Sequence, residues 1–91
     1  MAIKRAEVIF WGRVQGVGFR FTAEDVARDN NVNGYVRNVP DGTVELVIEG
    51  EESTLQKVID SLNDLMGQVI EKYHVNWFPA TGQFQRFEIK I

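Results

Sequence analysis

The feature that most constrains the fold is a change of hydrophobic period across one glycine-rich stretch, Gly12-Arg13-Val14-Gln15-Gly16-Val17-Gly18-Phe19-Arg20. Ahead of it lies an alternating run, with Val8 and Phe10 on one side and Ile9 and Trp11 on the other, and this predicts a strand over Glu7 to Val14. Beyond it Phe19, Ala23, Val26 and Ala27 form one stripe at helical spacing, and a helix is predicted over Phe21 to Asp29. Glu24 stands four residues before Arg28 as a surface pair on that helix. Asn33-Gly34 then turns the chain into a second strand, Tyr35 to Asn38. Two strands joined through a crossover helix run parallel, so their C-terminal ends share one edge of the sheet even where another strand is inserted between them. At about 4.8 Å per strand, such an insertion sets them roughly 10 Å apart.

The stretch also breaks the usual rules for a helix start. Most helices place Ser, Thr, Asp or Asn ahead of the first turn and acidic residues within it. Here Gly16, Val17 and Gly18 precede the helix, and the charge is Arg20. The first-turn N–H groups are left free, at the positive end of the helix dipole, which is the usual backbone cradle for an anion. A cation there costs about 0.3 to 1 kcal/mol when exposed, unless an anion sits between it and the dipole.

The remaining elements follow from the same signals. Pro40-Asp41-Gly42 is a turn into a third strand, Thr43 to Glu49, in which Val44, Leu46 and Ile48 alternate with Thr43, Glu45 and Val47. Ser53 with Gln56 three residues on reads as a capping box opening a second helix. That helix carries Leu55, Val58, Ile59, Leu62, Leu65 and Met66 on one face and stops at Gly67. Val69 to Phe78 is a fourth strand, with Val69, Tyr73, Val75 and Trp77 able to share a face. Pro79-Ala80-Thr81-Gly82 is a loop, and Phe84 to Ile91 is a closing strand with Phe87, Ile89 and Ile91 inward. The order is that of a split pair of strand-helix-strand units, an α+β sandwich with an antiparallel sheet and both helices on one face. On this geometry Asn38, at the end of the second strand, faces the glycine loop and Arg20 across a cleft sized for a phosphate and a water.

Composition narrows the function. At 91 residues and 44% hydrophobic content, residues 1–91 are one small domain with a single core. There is no cysteine, which removes disulfides, thiolate metal sites and a cysteine nucleophile, and fits a reducing compartment. Met1 to Arg5 lacks the apolar run of a signal peptide and no apolar stretch reaches membrane-spanning length, so a cytoplasmic protein without membrane contact is expected. The net charge of −3 is uneven: the balance is +2 through residue 38 and −5 beyond it. The half that holds the glycine loop is thus the positive half, which suits a small anion, while the acidic whole argues against nucleic acid. His74 is the only histidine, so neither a Ser-His-Asp system nor a histidine metal cluster is expected. Glu49, Glu51 and Glu52 read as a solvated helix entry rather than a metal site.

The glycine stretch, together with Gly34-Tyr35-Val36-Arg37-Asn38-Val39-Pro40-Asp41-Gly42-Thr43-Val44 and Gly50, closely resembles the two signature stretches of acylphosphatases. The resemblance extends over nearly the whole chain, including the second helix and the closing Phe84-Gln85-Arg86-Phe87-Glu88-Ile89. It departs at Phe10, where the family usually has a smaller aliphatic, and at Gly67-Gln68, where Gly-Pro is common. The resemblance implies a ferredoxin-like fold and hydrolysis of a carboxyl-phosphate anhydride, a small-molecule acyl phosphate, without metal or cofactor; a monomer is expected. It also implies that Arg20 and the amides of Gln15, Gly16, Val17, Gly18 and Phe19 bind the phosphate, and that Asn38 positions the attacking water.

Other readings fit less well. A mononucleotide P-loop needs Gly-Lys-Ser/Thr after the glycines, where Gly18-Phe19-Arg20 stands. An RNA-binding module of this topology needs aromatics on the first and third strands, and Val44 to Ile48 has none. Arg20 paired with Glu24 on the helix surface, and Asn38 satisfying only its strand end, are the plain structural alternatives. A regulatory domain that binds phosphate or another small anion without turnover is the strongest functional rival.

Overall fold

The computed structural model describes residues 3–91. Alternation of apolar residues does set the sheet: Ala6, Val8 and Phe10 in one run and Val44, Leu46 and Ile48 in another are wholly buried. The elements are β1 (Ile3–Gly12), α1 (Phe19–Asp29), β2 (Asn33–Asn38), β3 (Val44–Glu51), α2 (Glu52–Leu65), β4 (Ile70–Pro79) and β5 (Phe87–Lys90). The sheet order is β4-β1-β3-β2-β5. Against its inner face lie Phe19, Ala23, Val26 and Ala27 of α1 and Leu55, Val58, Ile59 and Leu62 of α2, in one continuous core. This is the α+β sandwich expected from the order of elements, in the ferredoxin-like arrangement that the resemblance implies.

The sheet is mixed rather than antiparallel throughout. β1 and β2 flank β3 and are both antiparallel to it, whereas β5 adds to the outer edge of β2 in parallel. β4 occupies the opposite edge, so the segment between β4 and β5 must cross the end of the sheet and bring the chain back in the direction of β2.

Five expectations are corrected in detail. Helix α1 opens at Phe19, two residues earlier than its predicted start. The capping box does not form. β3 runs into α2 without a loop, Glu51 is the cap residue, the Ser53 hydroxyl donates to Glu51 Oε1 at 3.1 Å, and Gln56 Nε2 donates to Asp60. Leu65 turns off the buried face and is largely exposed. Ile91 lies past the last strand residue and is fully exposed, so only Phe87 and, in part, Ile89 point inward. β4 extends beyond the cover of the helices, leaving Tyr73 and Trp77 substantially exposed.

Glu49 is not part of a solvated helix entry but lies buried within β3, where its carboxylate holds the crossing segment between β4 and β5. Glu49 Oε2 accepts from the Thr81 N–H (3.0 Å) and hydroxyl (2.8 Å), Oε1 accepts from the Gly82 N–H (2.9 Å), and Arg5 approaches at 3.4 Å. Burial alone would raise the Glu49 pKa, but the donors from Thr81 and Gly82, with Arg5, outweigh it and hold the carboxyl below its ordinary range. A folded-state pKa below the unfolded one means that the stabilisation is present above the unfolded value and lost as pH falls through the folded value. Glu49→Gln is expected to cost about 2 kcal/mol at neutral pH, because a charged acceptor shared by several donors is replaced by a neutral amide. In thermal melts that is about 8 to 16 °C for a domain of this size. The deficit should shrink as pH falls below the ordinary glutamate value of about 4.3, where the unfolded carboxyl takes up a proton, and close once pH has passed the lowered value of the folded state.

Candidate active site

The register places the two sequence signatures side by side. Phe10 of β1 and Asn38 of β2 both pair with Val44 of β3, so the three lie in one row, with two strand spacings of about 4.8 Å between the outer two. Asn38 follows Gly34 and Val36 on the helix-facing side of β2. The glycine loop leaves β1 just beyond Phe10, at the same edge. Its first step is fixed by close approach: Gly12 has φ 131°, and a Cβ there would lie 2.2 Å from the Val69 carbonyl oxygen, next to the bond from Arg13 N–H to that oxygen (3.0 Å). Val14 is buried as an apolar anchor.

From there the loop carries no side-chain cap. Gly18 is the N-cap residue of α1, in the left-handed region at φ 80°, ψ 14°, a conformation that glycine adopts without the Cβ clash. The first turn of α1 contains no acidic residue. The first helical bond is Thr22 N–H to the Gly18 carbonyl, and among the described residues the N–H groups of 15–20 donate to no protein acceptor. Under the start of the helix Phe10 packs against Phe19 with ring centroids 4.9 Å apart, and against Tyr73 at 6.1 Å. The larger residue at position 10 therefore buttresses the helix end of the loop.

Arg20 makes no hydrogen bond or ion pair among the described residues. Glu24, its partner in the plain structural alternative, is taken by Arg28 at 3.3 Å. Arg37, next to Asn38 in sequence, lies on the other side of β2 and is bound to Glu45 at 2.6 Å. Asn38 Oδ1 is buried and has no hydrogen-bond partner, a state that costs about 1 to 3 kcal/mol unless a ligand or water completes it.

These groups meet in a cavity of about 250 Å³ lined by Val14, Gly16, Gly18, Phe19, Arg20, Phe21 and Asn38. Of the residues singled out in the sequence, Gly16, Gly18, Phe19, Arg20 and Asn38 are thus brought together. Gln15 and Val17 do not line the cavity: Val17 points to solvent, and the Gln15 side chain turns to the β2–β3 hairpin, donating to the carbonyls of Val39 (2.7 Å) and Thr43 (2.8 Å). Val14 and Phe21 were not anticipated as lining residues, although each adjoins a residue that was. Two larger clefts lie along Gln83 to Glu88, about 390 Å³, and between Arg28 and Arg86, about 330 Å³. Their arginines are already paired, Arg86 with Glu88 and Arg28 with Glu24, so neither cleft offers an uncommitted cation.

The hairpin that carries Asn38 is itself tightly built. Val39 N–H donates to the Thr43 carbonyl, Gly42 N–H donates to that of Val39, and Asp41 Oδ1 accepts from the Thr43 hydroxyl (2.6 Å) and N–H (2.9 Å). Those two bonds hold the Asp41 carboxyl below its ordinary pKa. His74 is exposed and bonded to Asn76. Among the described residues no three acidic or histidine side chains come together as a metal site, and no helix is long and apolar enough to cross a membrane.

An uncapped helix end, an unpaired guanidinium and an unpartnered side-chain oxygen thus surround one cavity. The family model described as Acylphosphatase matches residues 6–89. The chain belongs to the acylphosphatase family. Among acylphosphatases, that of Geobacillus kaustophilus is 47% identical over 88 residues, which cover 96% of this chain and 94% of that protein. That of Roseiflexus sp. is 42% identical over 90 residues, covering 98% and 97%. The crystal structure of the acylphosphatase from Bacillus subtilis superposes with a TM-score of 0.88 at 29% identity, over 97% of this chain and 99% of that one. This acylphosphatase-family chain thus covers between 94% and 99% of each of these three proteins.

Proposed function

We propose that the protein is an acylphosphatase that cleaves a small-molecule acyl phosphate to a carboxylate and inorganic phosphate without metal or cofactor. The observation that carries this reading is the meeting of unpaired Arg20, the free N–H groups of the glycine loop and the unpartnered Asn38 oxygen in one cavity. The phosphate is held by the amides of Gln15, Gly16, Val17, Gly18 and Phe19 and by the Arg20 guanidinium, whose planar fork matches two phosphate oxygens. Arg20 and the helix dipole, which oppose each other, both stabilise the bound dianion.

Asn38 Oδ1 accepts a hydrogen bond from a water and aims its oxygen at phosphorus, on the side opposite the acyl group. A new P–O bond forms as the bond to the acyl oxygen breaks. The carboxylate leaves with that electron pair, and the proton shed by the water passes to phosphate oxygen or solvent. A carboxylate is a weak base and departs without a strong general acid, so positioning and charge neutralisation suffice. That economy fits a site with no histidine and no acidic group among its lining residues. With a net charge of −3 and a sequence pI near 5.0, the chain is suited to a small anion drawn to a local positive site rather than to nucleic acid. We place it in the cytoplasm as a monomeric single domain.

The deciding experiment follows benzoyl phosphate hydrolysis by the purified chain with and without a metal chelator. Turnover far above the spontaneous rate and unchanged by chelator is expected. Binding of inorganic phosphate without turnover would make the chain a small-anion binding domain, and loss of activity to chelator would overturn the metal-free mechanism.

A further inference from the structure

The side chain of Gln15 lies outside the cavity and touches none of the reacting positions, yet its amide is fully committed. Nε2 has two hydrogens, and both are used, one on the Val39 carbonyl at 2.7 Å and one on the Thr43 carbonyl at 2.8 Å. Those carbonyls flank the turn immediately after Asn38, and they already accept from Gly42 and Val39 within the hairpin. One side chain thus bridges the loop that cradles the anion to the hairpin that carries the asparagine.

The bridge matters because the loop has few other constraints. Arg13 and Val14 anchor its start, and α1 anchors its end, but Gly16, Val17 and Gly18 are exposed and their N–H groups have no protein acceptor. Among the described residues, no other side chain of 13–18 hydrogen-bonds to the β2–β3 hairpin. β1 and β2 are not hydrogen-bonded to each other, because β3 lies between them. The distance from the loop amides to the Asn38 oxygen is therefore set by the sheet at one level and by Gln15 directly at the site.

We infer that Gln15 is a positioning residue, whose two side-chain hydrogen bonds hold the phosphate loop and Asn38 at the separation that puts water in line with phosphorus. The inference rests on the roles of the loop and Asn38 given above. Displacing a reacting group by about 1 Å costs on the order of 100-fold in rate, while a cradle made of the loop's own amides and Arg20 keeps its shape.

The test is Gln15→Met, which is close in volume and has no donor. Benzoyl phosphate turnover and competitive inhibition by inorganic phosphate are measured per folded molecule, well below the melting temperature. The expected result is a kcat lower by about 10- to 100-fold, with the inhibition constant of phosphate within about 3-fold of wild type. An unchanged kcat would overturn the inference. So would a phosphate inhibition constant that rises as much as kcat falls, since Gln15 would then be shaping the cradle itself. Gln15→Asn, one methylene too short to reach both carbonyls, should show the same split and decides the matter if the methionine variant does not fold. Adding Gln15→Met to Asn38→Ala should lower kcat by less than about 3-fold more, because the positioned group is already gone; full multiplication of the two losses would refute the coupling. If Asn38→Ala alone keeps full activity, the failure lies in the assigned role of Asn38. If it is inactive while Gln15→Met is normal, only the positioning role fails.

Discussion

Asn38→Ala is expected to lower kcat for benzoyl phosphate by about 100- to 1000-fold while inorganic phosphate still inhibits with nearly wild-type affinity. The split follows from where the side chain stands. Asn38 is on the end of β2 and the phosphate cradle is on the β1–α1 turn, so removal of the amide leaves the loop N–H groups and Arg20 in place. What is lost is the acceptor that aims the water, which acts after phosphate is bound. The variant should not lose stability, because Oδ1 has no partner in the folded protein and its removal breaks no hydrogen bond of that atom. Loss of phosphate affinity in parallel with kcat would show instead that Asn38 helps to hold the phosphoryl group. Full activity would remove it from the mechanism.

Arg20→Lys is expected to reduce kcat/KM by about a thousand-fold, equivalent to about 4 kcal/mol of transition-state stabilisation. Charge is conserved in this change, so the loss isolates the planar two-point grip that an ammonium cannot supply. Arg20→Ala should be at least as inactive, and its melting temperature should rise slightly. Arg20 stands in the first turn of α1, where a cation opposes the helix dipole, and no acidic partner among the described residues offsets it. Removing it relieves about 0.3 to 1 kcal/mol. Opposite signs in activity and stability would mark a residue kept for function against the interest of the fold. Unchanged phosphate inhibition in Arg20→Lys would count against the two-point grip.

The same conflict explains why so much of the site was legible in the sequence. Gly18 and Arg20 violate the ordinary rules of a helix start, and that violation needs no coordinates to be seen. The core stripe Phe19, Ala23, Val26 and Ala27 was equally visible, because one face of an amphipathic helix repeats locally. What escaped depends on relations between distant segments. A four-residue strand such as β5 has the same alternation whether it pairs parallel or antiparallel, so its direction is set by how the chain crosses from the far edge of the sheet. Ser53 and Gln56 have the spacing of a capping box, but β3 enters α2 with no intervening loop and Glu51 takes the cap position. Gln15 offered no signal that its side chain would leave the cradle, since its two acceptors lie 24 and 28 residues away and are ordinary backbone carbonyls.

The row formed by Phe10, Val44 and Asn38 ties chemistry to the order in which the molecule assembles. Neither signature stretch can form the site by local folding, because within the sheet they are aligned through β3, which pairs β1 across more than thirty residues of chain. Contacts of that kind form late and close slowly compared with helices and turns. An ensemble with both helices formed but β3 not yet seated between β1 and β2 would hold Arg20 and Asn38 in the same chain without a common cavity. Turnover is thereby expected to report the finished central sheet, returning during refolding only as β3 seats between β1 and β2.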